Sequence, residues 1–256
     1  REYTQVVNPL PQPALLDGSI CVELSTGLVF QNHLLDSGIP NTSDYDFNWF
    51  YNGGLITGAN QSTYAAELAG NYYVEVQNLN TGCSNVSNTI NVIEINNATD
   101  FTYTVTNAFT DNATVTINVT DGNGSFLYQL DDQDLQGSSV FTGVSSGTHQ
   151  LTVVDQKGCT YLTKEILIID YPKFFTPNGD GHNDYWNIFT LRDQPNTKIY
   201  IFDRYGKLIK EISPLGIGWD GTFNSEELPS TDYWFTVEYQ ENQQTKVFKA
   251  HFSLKR

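Results

Sequence analysis

The stretch VFKAHFSLKR, residues 247–256, alternates apolar and polar side chains. Two sets of residues fall on opposite faces of an extended chain: Phe248, Ala250, Phe252 and Leu254 on one, and Lys249, His251, Ser253 and Lys255 on the other. Successive side chains of a β-strand point to opposite faces, so this pattern predicts a strand with one buried face.

The same alternation recurs upstream. It is found in ATVTINVT (113–120), HQLTVVD (149–155) and YWFTVEY (233–239), whereas a helical period of 3.6 residues is hard to find. Strands at short spacing, separated by Gly, Asn and Asp, are typical of β-sandwiches. The sequence therefore predicts an all-β chain of three tandem small β-sandwich, immunoglobulin-like domains.

Charge excludes some kinds of partner. The 256 residues carry a formal net charge of −16, which argues against binding nucleic acid through phosphates or docking on an anionic membrane. The charge is uneven, because residues 1–170 hold 18 acidic and 3 basic side chains, whereas residues 171–256 hold 11 and 10. The last third of the chain is thus expected to present a different surface.

Localisation is constrained by what the sequence lacks. No apolar run approaches the roughly 20 residues of a membrane-spanning helix, and the first ten residues, REYTQVVNPL, contain no apolar core of a signal peptide. The chain is therefore either cytosolic or a piece of a longer exported protein. Abundant Thr, Asn, Ser, Tyr and Gly, scarce Lys and no Met favour export.

The first of three predicted domains covers residues 1–94. Its motifs CVEL, FNWFYNGG, AELAGNYYVEVQN and GC resemble the immunoglobulin-like domains found in tandem on bacterial surface proteins. This resemblance implies that Trp49 is the core aromatic residue and that Tyr72 forms the tyrosine corner of such sandwiches. The alternative for Tyr45, Trp49 and Phe50 is an exposed platform that binds surface glycans.

Three cysteines, at positions 21, 83 and 159, imply one pair and one remaining thiol in an exported protein. Val74 stands two residues after Tyr72, where the antibody pattern has a Cys. We therefore expect a Cys21–Cys83 disulfide that ties the first strand region to the last, worth roughly 3–4 kcal/mol by loop entropy. Cys159 then has no evident partner.

The second predicted domain covers residues 95–168. The pattern GSFLYQLDD, followed by FTGVSSGTHQLTVVDQKGC, resembles the repeat of giant bacterial gliding adhesins. The resemblance implies a small β-sandwich, one of several strung along a stalk.

The third predicted domain covers residues 169–256. It contains, in order, FFTPNGDGHNDYW, KIYIFDRYGKLIKEI, GWDGTFNSEELPSTDYWFTVEY and FKAHFSLKR. This order is similar to the type B C-terminal sorting domain of the type IX secretion system of Bacteroidetes, also described as the gliding motility-associated C-terminal domain. The similarity runs to the last residue, as expected of a C-terminal targeting signal, and implies a sandwich of about seven strands.

The sorting-domain resemblance implies a partner. Outer-membrane proteins of the secretion and gliding apparatus, a β-barrel among them, are expected to read the domain as a folded surface, with no direct insertion into the membrane. Residues near the end of the chain are the candidate contacts: Phe248, Lys249, Phe252, Lys255 and Arg256. A strand edge near Phe248–Leu254 is a candidate for β-augmentation by the partner.

The loop within FFTPNGDGHNDYW has the composition of a calcium site. Aligned on an EF-hand loop, Thr176 and Asn187 stand where Asp and Glu supply key oxygens. A different calcium cage remains open, built from Asn178, Asp180, Asn183 and Asp184. The alternative is a turn held by hydrogen bonds of its own side chains.

Catalytic motifs are weak. Gly143–Gly147, GVSSG, fits G-x-S-x-G, but it leads into a strand rather than the helix that a nucleophilic Ser requires. The four His residues show no paired metal-ligand spacing, and the acidic cluster Asp131, Asp132 and Asp134 is typical of a solvated hairpin. The sequence therefore predicts no enzyme and no cofactor other than calcium.

The sequence as a whole predicts the end of an exported adhesin on the bacterial cell surface. Two stalk-like domains precede a type IX sorting domain in this interpretation. Two alternatives stay open: a carbohydrate-binding or hydrolytic surface protein with the same sorting domain, and a structural module stabilised by calcium.

Overall fold

A computed structural model describes residues 8–241 and 243–256. Tertiary contacts divide the chain into two compact units. Unit 1 comprises the described part of Arg1–Thr102 with Val119–Leu127 and Val153–Leu162. Unit 2 comprises Tyr103–Asn118, Tyr128–Thr152 and the described part of Thr163–Arg256. The predicted domain boundaries at residues 94 and 168 stay a prediction.

Nine strands form the first part of the chain. They are β1 Gly18–Val22, β2 Val29–Gln31, β3 His33–Asp36, β4 Tyr45–Tyr51, β5 Gly54–Leu55, β6 Thr63–Ala66, β7 Gly70–Asn78, β8 Ser84–Val86 and β9 Ile90–Asn96. One sheet has the order β2-β1-β9-β7-β4-β5, with β8 also paired to β7, and β3 pairs with β6. Strand β1 runs parallel to β9, whereas β4 and β7 are antiparallel.

The core of these strands confirms two expectations. Trp49 on β4 is fully buried, and its indole N–H donates to the carbonyl of Gln61 at 2.8 Å, so it is no platform for sugars. Tyr72 on β7 is buried and donates its hydroxyl hydrogen to the carbonyl of Leu68 at 2.9 Å, which is the tyrosine corner. Burial, together with the neighbouring Tyr64, raises the pKa of Tyr72 to about 12.

The predicted Cys21–Cys83 disulfide is wrong. Cys21 is bonded to Cys159, and Cys83 is the free thiol of the described residues. Cys21 lies opposite Ile95 on β9. Ile95 is beyond Val92, the residue of β9 that pairs with Gly70 at the start of β7. Cys83 lies at the other end of β7, which spans about 26 Å at 3.3 Å per residue, whereas a disulfide needs Cα atoms within about 7 Å.

Six strands follow. They are β10 Phe101–Val105, β11 Ala113–Val119, β12 Phe126–Leu130, β13 Val140–Val144, β14 Gly147–Asp155 and β15 Tyr161–Ile168. They form two three-stranded sheets of order β10-β11-β13 and β12-β14-β15. The predicted strands at 113–120 and 149–155 are confirmed as β11 and β14.

Seven strands and one short 3-10 helix, η1 Phe189–Leu191, are described in the last part of the chain. The strands are β16 Phe174–Phe175, β17 Lys198–Phe202, β18 Leu208–Ile212, β19 Thr222–Phe223, β20 Glu226–Glu227, β21 Asp232–Glu241 and β22 Gln244–Leu254. One sheet has the order β16-β22-β21-β17-β18, and β19 pairs with β20. The predicted strand is confirmed over residues 247–254 and has one buried face, because Phe252 and Leu254 are buried whereas Lys249 and His251 are exposed.

The fold is therefore all-β, as predicted, with sheets packed into immunoglobulin-like sandwiches. No helix of the described residues is long and apolar enough to cross a membrane.

Candidate docking surface of the last seven strands

The motifs of the last segment meet in one aromatic core. Trp186 stacks on Phe252 at a centroid distance of 3.8 Å, and Trp219 contacts Phe175 and Tyr233 at 5.5 and 4.9 Å. Each buried indole N–H has an acceptor, the carbonyl of Pro172 for Trp186 and that of Thr222 for Trp219. These five aromatic residues thus hold the fold together, and their buried side chains offer little surface for contact.

Two glycines of the GWDG motif allow the backbone to approach this core. A Cβ on Gly218 would lie 2.6 Å from the carbonyl oxygen of Trp186. A Cβ on Gly221 would lie 2.7 Å from Cδ1 of Leu254. Both glycines have positive φ, at +106° and +79°, which other residues rarely adopt.

The end of the chain is integrated into the domain. Leu254 and Lys255 donate backbone N–H groups to the carbonyls of Thr231 and Phe175, each at 3.0 Å. The guanidinium of Arg256 donates to the carbonyls of Leu228 and Gly221. Residues 253–256 are therefore part of a folded surface.

A second tyrosine corner was missed by the sequence analysis. Tyr233 is buried and its hydroxyl donates to the carbonyl of Pro229, four residues earlier, at 3.0 Å. The spacing equals that between Leu68 and Tyr72. Both corners share a sequence signal, which is a Leu before the strand and a Tyr near the start of the strand. The two pairs are Leu68 with Tyr72 and Leu228 with Tyr233.

One face of the five-stranded sheet points away from the core. Trp234 lies opposite His251, and Thr236 lies opposite Lys249, on adjacent strands β21 and β22. Trp234 is 42% exposed, and the rings of Trp234 and His251 are 6.1 Å apart. Residues directly opposite each other share a face of a sheet, so these side chains form one surface. We call Phe174, Trp234, Lys249, His251 and Lys255 the outward face.

Phe174 and Lys255 extend the outward face past β22. Phe174 lies opposite Ser253 and is 45% exposed. The ammonium of Lys255 lies 4.4 Å from the centre of the Phe174 ring, a cation–π contact. The outward face therefore combines two lysines with exposed aromatic rings, and aromatic residues are enriched at protein interfaces.

The five predicted docking residues do not form one surface. Lys249 and Lys255 are exposed and belong to the outward face, whereas Arg256 binds the backbone of its own domain. Phe252 is fully buried, so its side chain has no surface to offer a partner. Phe248 is partly buried and stacks on Phe109 at 4.3 Å. The sequence pattern correctly separated the two faces of β22. The predicted docking residues, however, were taken from both faces.

The predicted β-augmentation edge is partly covered. Strand β22 pairs along its length with β21, and on its other side β16 pairs with Ser253 and Leu254. Among the described strands, residues 244–252 thus form an edge of this sheet. Strand addition there stays a prediction.

The predicted calcium loop is held by its own hydrogen bonds. The two carboxylate oxygens of Asp184 accept the N–H groups of Gly179 and Gly181, at 2.6 and 2.8 Å. Asp180 accepts the N–H of His182 at 2.8 Å and the amide of Asn178 at 2.9 Å, and these two bonds hold its pKa below the usual value. The described residues contain no cluster of three or more His, Cys, Asp or Glu placed to hold a metal ion. Calcium binding by Asn178, Asp180, Asn183 and Asp184 stays a prediction.

Replacing Asp184 with alanine is expected to lower the free energy of unfolding by about 1 kcal/mol, because two backbone N–H groups lose their acceptor. The urea midpoint of the chain measures this effect, and Asp193→Ala, which removes an exposed carboxylate of the same segment, is the control. An equal loss in both variants would contradict the role given to Asp184. Calcium that raises the midpoint of the parent chain but not of Asp184→Ala would support the predicted site.

The GVSSG motif lies beside a histidine and an aspartate. Nδ1 of His149 is 2.7 Å from Asp131 Oδ2, and Nε2 is 2.9 Å from the carbonyl oxygen of Ser145 and 3.5 Å from its Oγ. Burial of Asp131 is outweighed by its hydrogen bonds with His149 and Gln150, which lower its pKa. Each ring nitrogen of His149 therefore faces an oxygen that accepts hydrogen bonds, the carboxylate on one side and the carbonyl on the other.

This arrangement differs from a catalytic triad. A general base needs an unprotonated Nε2 directed at the serine hydroxyl, and here that nitrogen faces the closer carbonyl. Ser145 lies in the turn between strands β13 and β14, without the helix that exposes a nucleophile. His149 therefore closes a turn in this structure, and the absence of enzymatic activity stays a prediction.

Comparison with known proteins identifies the last segment. Residues 169–254 match the family model described as the CHU_C type IX secretion signal domain. This match implies an exported protein, secreted or held at the cell surface. No curated protein matches the chain.

Solved structures with some likeness to the chain are distant. Three N-terminal domains of the highly immunogenic outer capsid protein of bacteriophage RB49 share 13% identity at a TM-score of 0.30, over 88% of this chain and 94% of that one. Immunoglobulin domains 1–4 of Sidekick-1 share 11% identity at a TM-score of 0.22, over 98% and 75%. The BSP domain of a biofilm associated protein shares 8% identity at a TM-score of 0.21, over 95% and 66%.

Proposed function

We propose that this protein is a non-enzymatic adhesin of the bacterial cell surface whose type IX sorting domain is recognised as a folded module. The recognising partner is a protein of the outer-membrane secretion and gliding apparatus. The observation that supports this proposal most directly is the burial of Phe252 and Leu254 in the aromatic core, 0% and 1% exposed. The end of the chain is therefore presented by a fold, and a partner that needed it as a free peptide would have to unfold the domain.

The outward face is the proposed contact. Trp234 and Phe174 expose large apolar surface there, and Lys249 and Lys255 place positive charge beside it. Residues 171–256 are nearly neutral, with 11 acidic and 10 basic side chains, while the rest of the chain is strongly acidic. An acidic protein partner would be repelled by the strongly acidic part of the chain. It can approach residues 171–256 without that repulsion.

The adhesin part of the proposal is supported by the architecture. The segments before residue 169 are built of β-strands, and Trp49, a candidate for glycan binding, is a core residue. Their 18 acidic and 3 basic side chains over residues 1–170 suit a solvated stalk. Ser145, His149 and Asp131 lack the geometry of a catalytic triad, and adhesion is the function that the segments best support.

An export assay tests the proposed contact. The chain, placed behind a signal peptide and a fluorescent reporter, is expressed in a bacterium with a type IX system. The double variant Trp234→Ala/Lys249→Glu is expected to reduce the exported fraction severalfold while its melting temperature stays close to that of the parent chain, since both side chains lie on the surface.

The matched control removes one exposed ring and reverses one charge elsewhere. Tyr205 is 86% exposed and Lys157 is exposed, so Tyr205→Ala/Lys157→Glu makes the same kind of change at residues that do not belong to the outward face. Export of the control should equal that of the parent chain. Full export of Trp234→Ala/Lys249→Glu would exclude the outward face, and periplasmic retention of the parent itself would reject the sorting function.

A further inference from the structure

A phenylalanine outside the family-matched residues is part of the core of the last strands. Phe109 lies in the loop between β10 and β11, yet it is only 6% exposed. Its ring stacks on Phe248 at 4.3 Å with an interplanar angle of 13°, and it meets Tyr239 edge-on at 5.1 Å. The ring of Tyr171 lies 6.2 Å away. We call Tyr171, Tyr239 and Phe248 the receiving cluster.

Polar contacts also hold the loop between β10 and β11 in place. The N–H of Ala108 donates to Glu241 Oε1 at 2.7 Å, and the N–H of Phe109 donates to the carbonyl of Ile169 at 2.8 Å. The ammonium of Lys173 lies 3.5 Å from Asp111. Backbone hydrogen bonds fix the loop's position, so the burial of Phe109 is more than an incidental apolar contact.

The backbone of Phe109 is in an unusual conformation. Its φ is +62°, in the left-handed region that bulky side chains rarely enter. Strained residues of this kind persist where the surroundings determine them, which is commonly at functional contacts. Here the strain directs the ring into the receiving cluster.

We propose that the loop Asn107–Asp111 belongs to the functional sorting module, and that Phe109 completes a docking fold which residues 169–254 leave unfinished. This inference rests on the proposed function. It has a consequence for export, because the loop takes up its place only when β10 and β11 have folded around it. The sorting domain is then complete only after the segment in front of it has folded, so export is coupled to folding of the cargo.

The receiving cluster shows why the contact matters. Phe248 lies on β22 and Tyr239 on β21, the two strands that also carry Trp234, Lys249 and His251 of the outward face. Without Phe109, the rings of the receiving cluster would be open to water at this end of the sheet. Loss of that packing loosens the strand pair that presents Trp234 and Lys249 to the partner.

Phe109→Ala in the full chain tests the inference. The purified variant is expected to melt several degrees below the parent chain, and its exported fraction is expected to fall severalfold. Phe109→Leu keeps most of the apolar volume and should recover most of both losses. Tyr161→Ala is the control, since Tyr161 is an aromatic residue of the same predicted domain that is 72% exposed.

A double-mutant comparison separates this contact from general destabilisation. If Phe109 and Phe248 act as one unit, Phe109→Ala should lower the melting temperature much less in a Phe248→Ala background than in the parent chain. Independent, additive losses would overturn the proposed packing. Normal export of Phe109→Ala despite a lower melting temperature would overturn the coupling to export.

Rejection of the sorting function and rejection of the role of Phe109 give different experimental results. If the parent chain stays in the periplasm, the sorting function itself is rejected, and the melting data on Phe109 and Phe248 still decide whether the loop completes the fold. If the parent is exported and Phe109→Ala is exported and melts like it, only the further inference is overturned.

Discussion

Trp186→Ala is expected to lower the free energy of unfolding of the last segment by about 3–5 kcal/mol, the usual loss for a large aromatic residue removed from a core. Trp186 is fully buried, stacks on Phe252 at 3.8 Å and donates its indole hydrogen to the carbonyl of Pro172. Its loss leaves a cavity beside Phe252 and leaves the carbonyl of Pro172 without its hydrogen-bond donor. Urea unfolding followed by circular dichroism measures the change.

The matched control for Trp186→Ala is Trp234→Ala. Trp234 is a tryptophan of the same segment, 42% exposed on the outward face, and its removal should cost less than about 1 kcal/mol. Equal losses at the two positions would contradict the division of the tryptophans into core and surface. The pair also distinguishes stability from recognition, because only Trp234 is proposed to contact the partner.

Replacing Cys21 or Cys159 with alanine is expected to destabilise unit 1 by about 2–5 kcal/mol. The disulfide closes a sequence separation of 138 residues, and long loops lose the most chain entropy when they are closed. Both cysteines are also buried, so the substitution removes packing together with the covalent link. The urea midpoint of the oxidised chain provides the measurement.

Cys83→Ala serves as the control for the disulfide. Cys83 is a free, partly exposed thiol, so its replacement should change the midpoint little. Peptide mapping of the oxidised parent should recover Cys21 linked to Cys159. A peptide that links Cys21 to Cys83, or a large loss in Cys83→Ala, would contradict the structure.

The local parts of this fold could be predicted from the sequence. Alternation identified β22 and its buried face, and the residues around Trp49 and Tyr72 indicated a core aromatic and a tyrosine corner, both of which the structure contains. These signals are local, since each depends on the period of one strand or on the turn before it.

The contacts that sequence reasoning missed are non-local. The Cys21–Cys159 pairing depends on β1 running parallel to β9, a register that no single segment reveals. Phe109 follows β10 in a stretch, NAFTDN, that reads as an ordinary polar turn, and its burial depends on strands 130 residues away along the chain. The meeting of Ser145, His149 and Asp131 depends in the same way on pairing between strands.

The central claim is that the secretion apparatus reads a fold rather than a linear peptide, and export of Trp186→Ala tests it most directly. This variant keeps residues 247–256 unchanged in sequence while removing the core that holds Phe252 and Leu254. The measurement is the ratio of exported to total reporter for the parent chain and the variant in the same cells. We predict export of the parent and periplasmic retention of the variant. Export of an unfolded Trp186→Ala chain at the level of the parent would contradict recognition of a folded module.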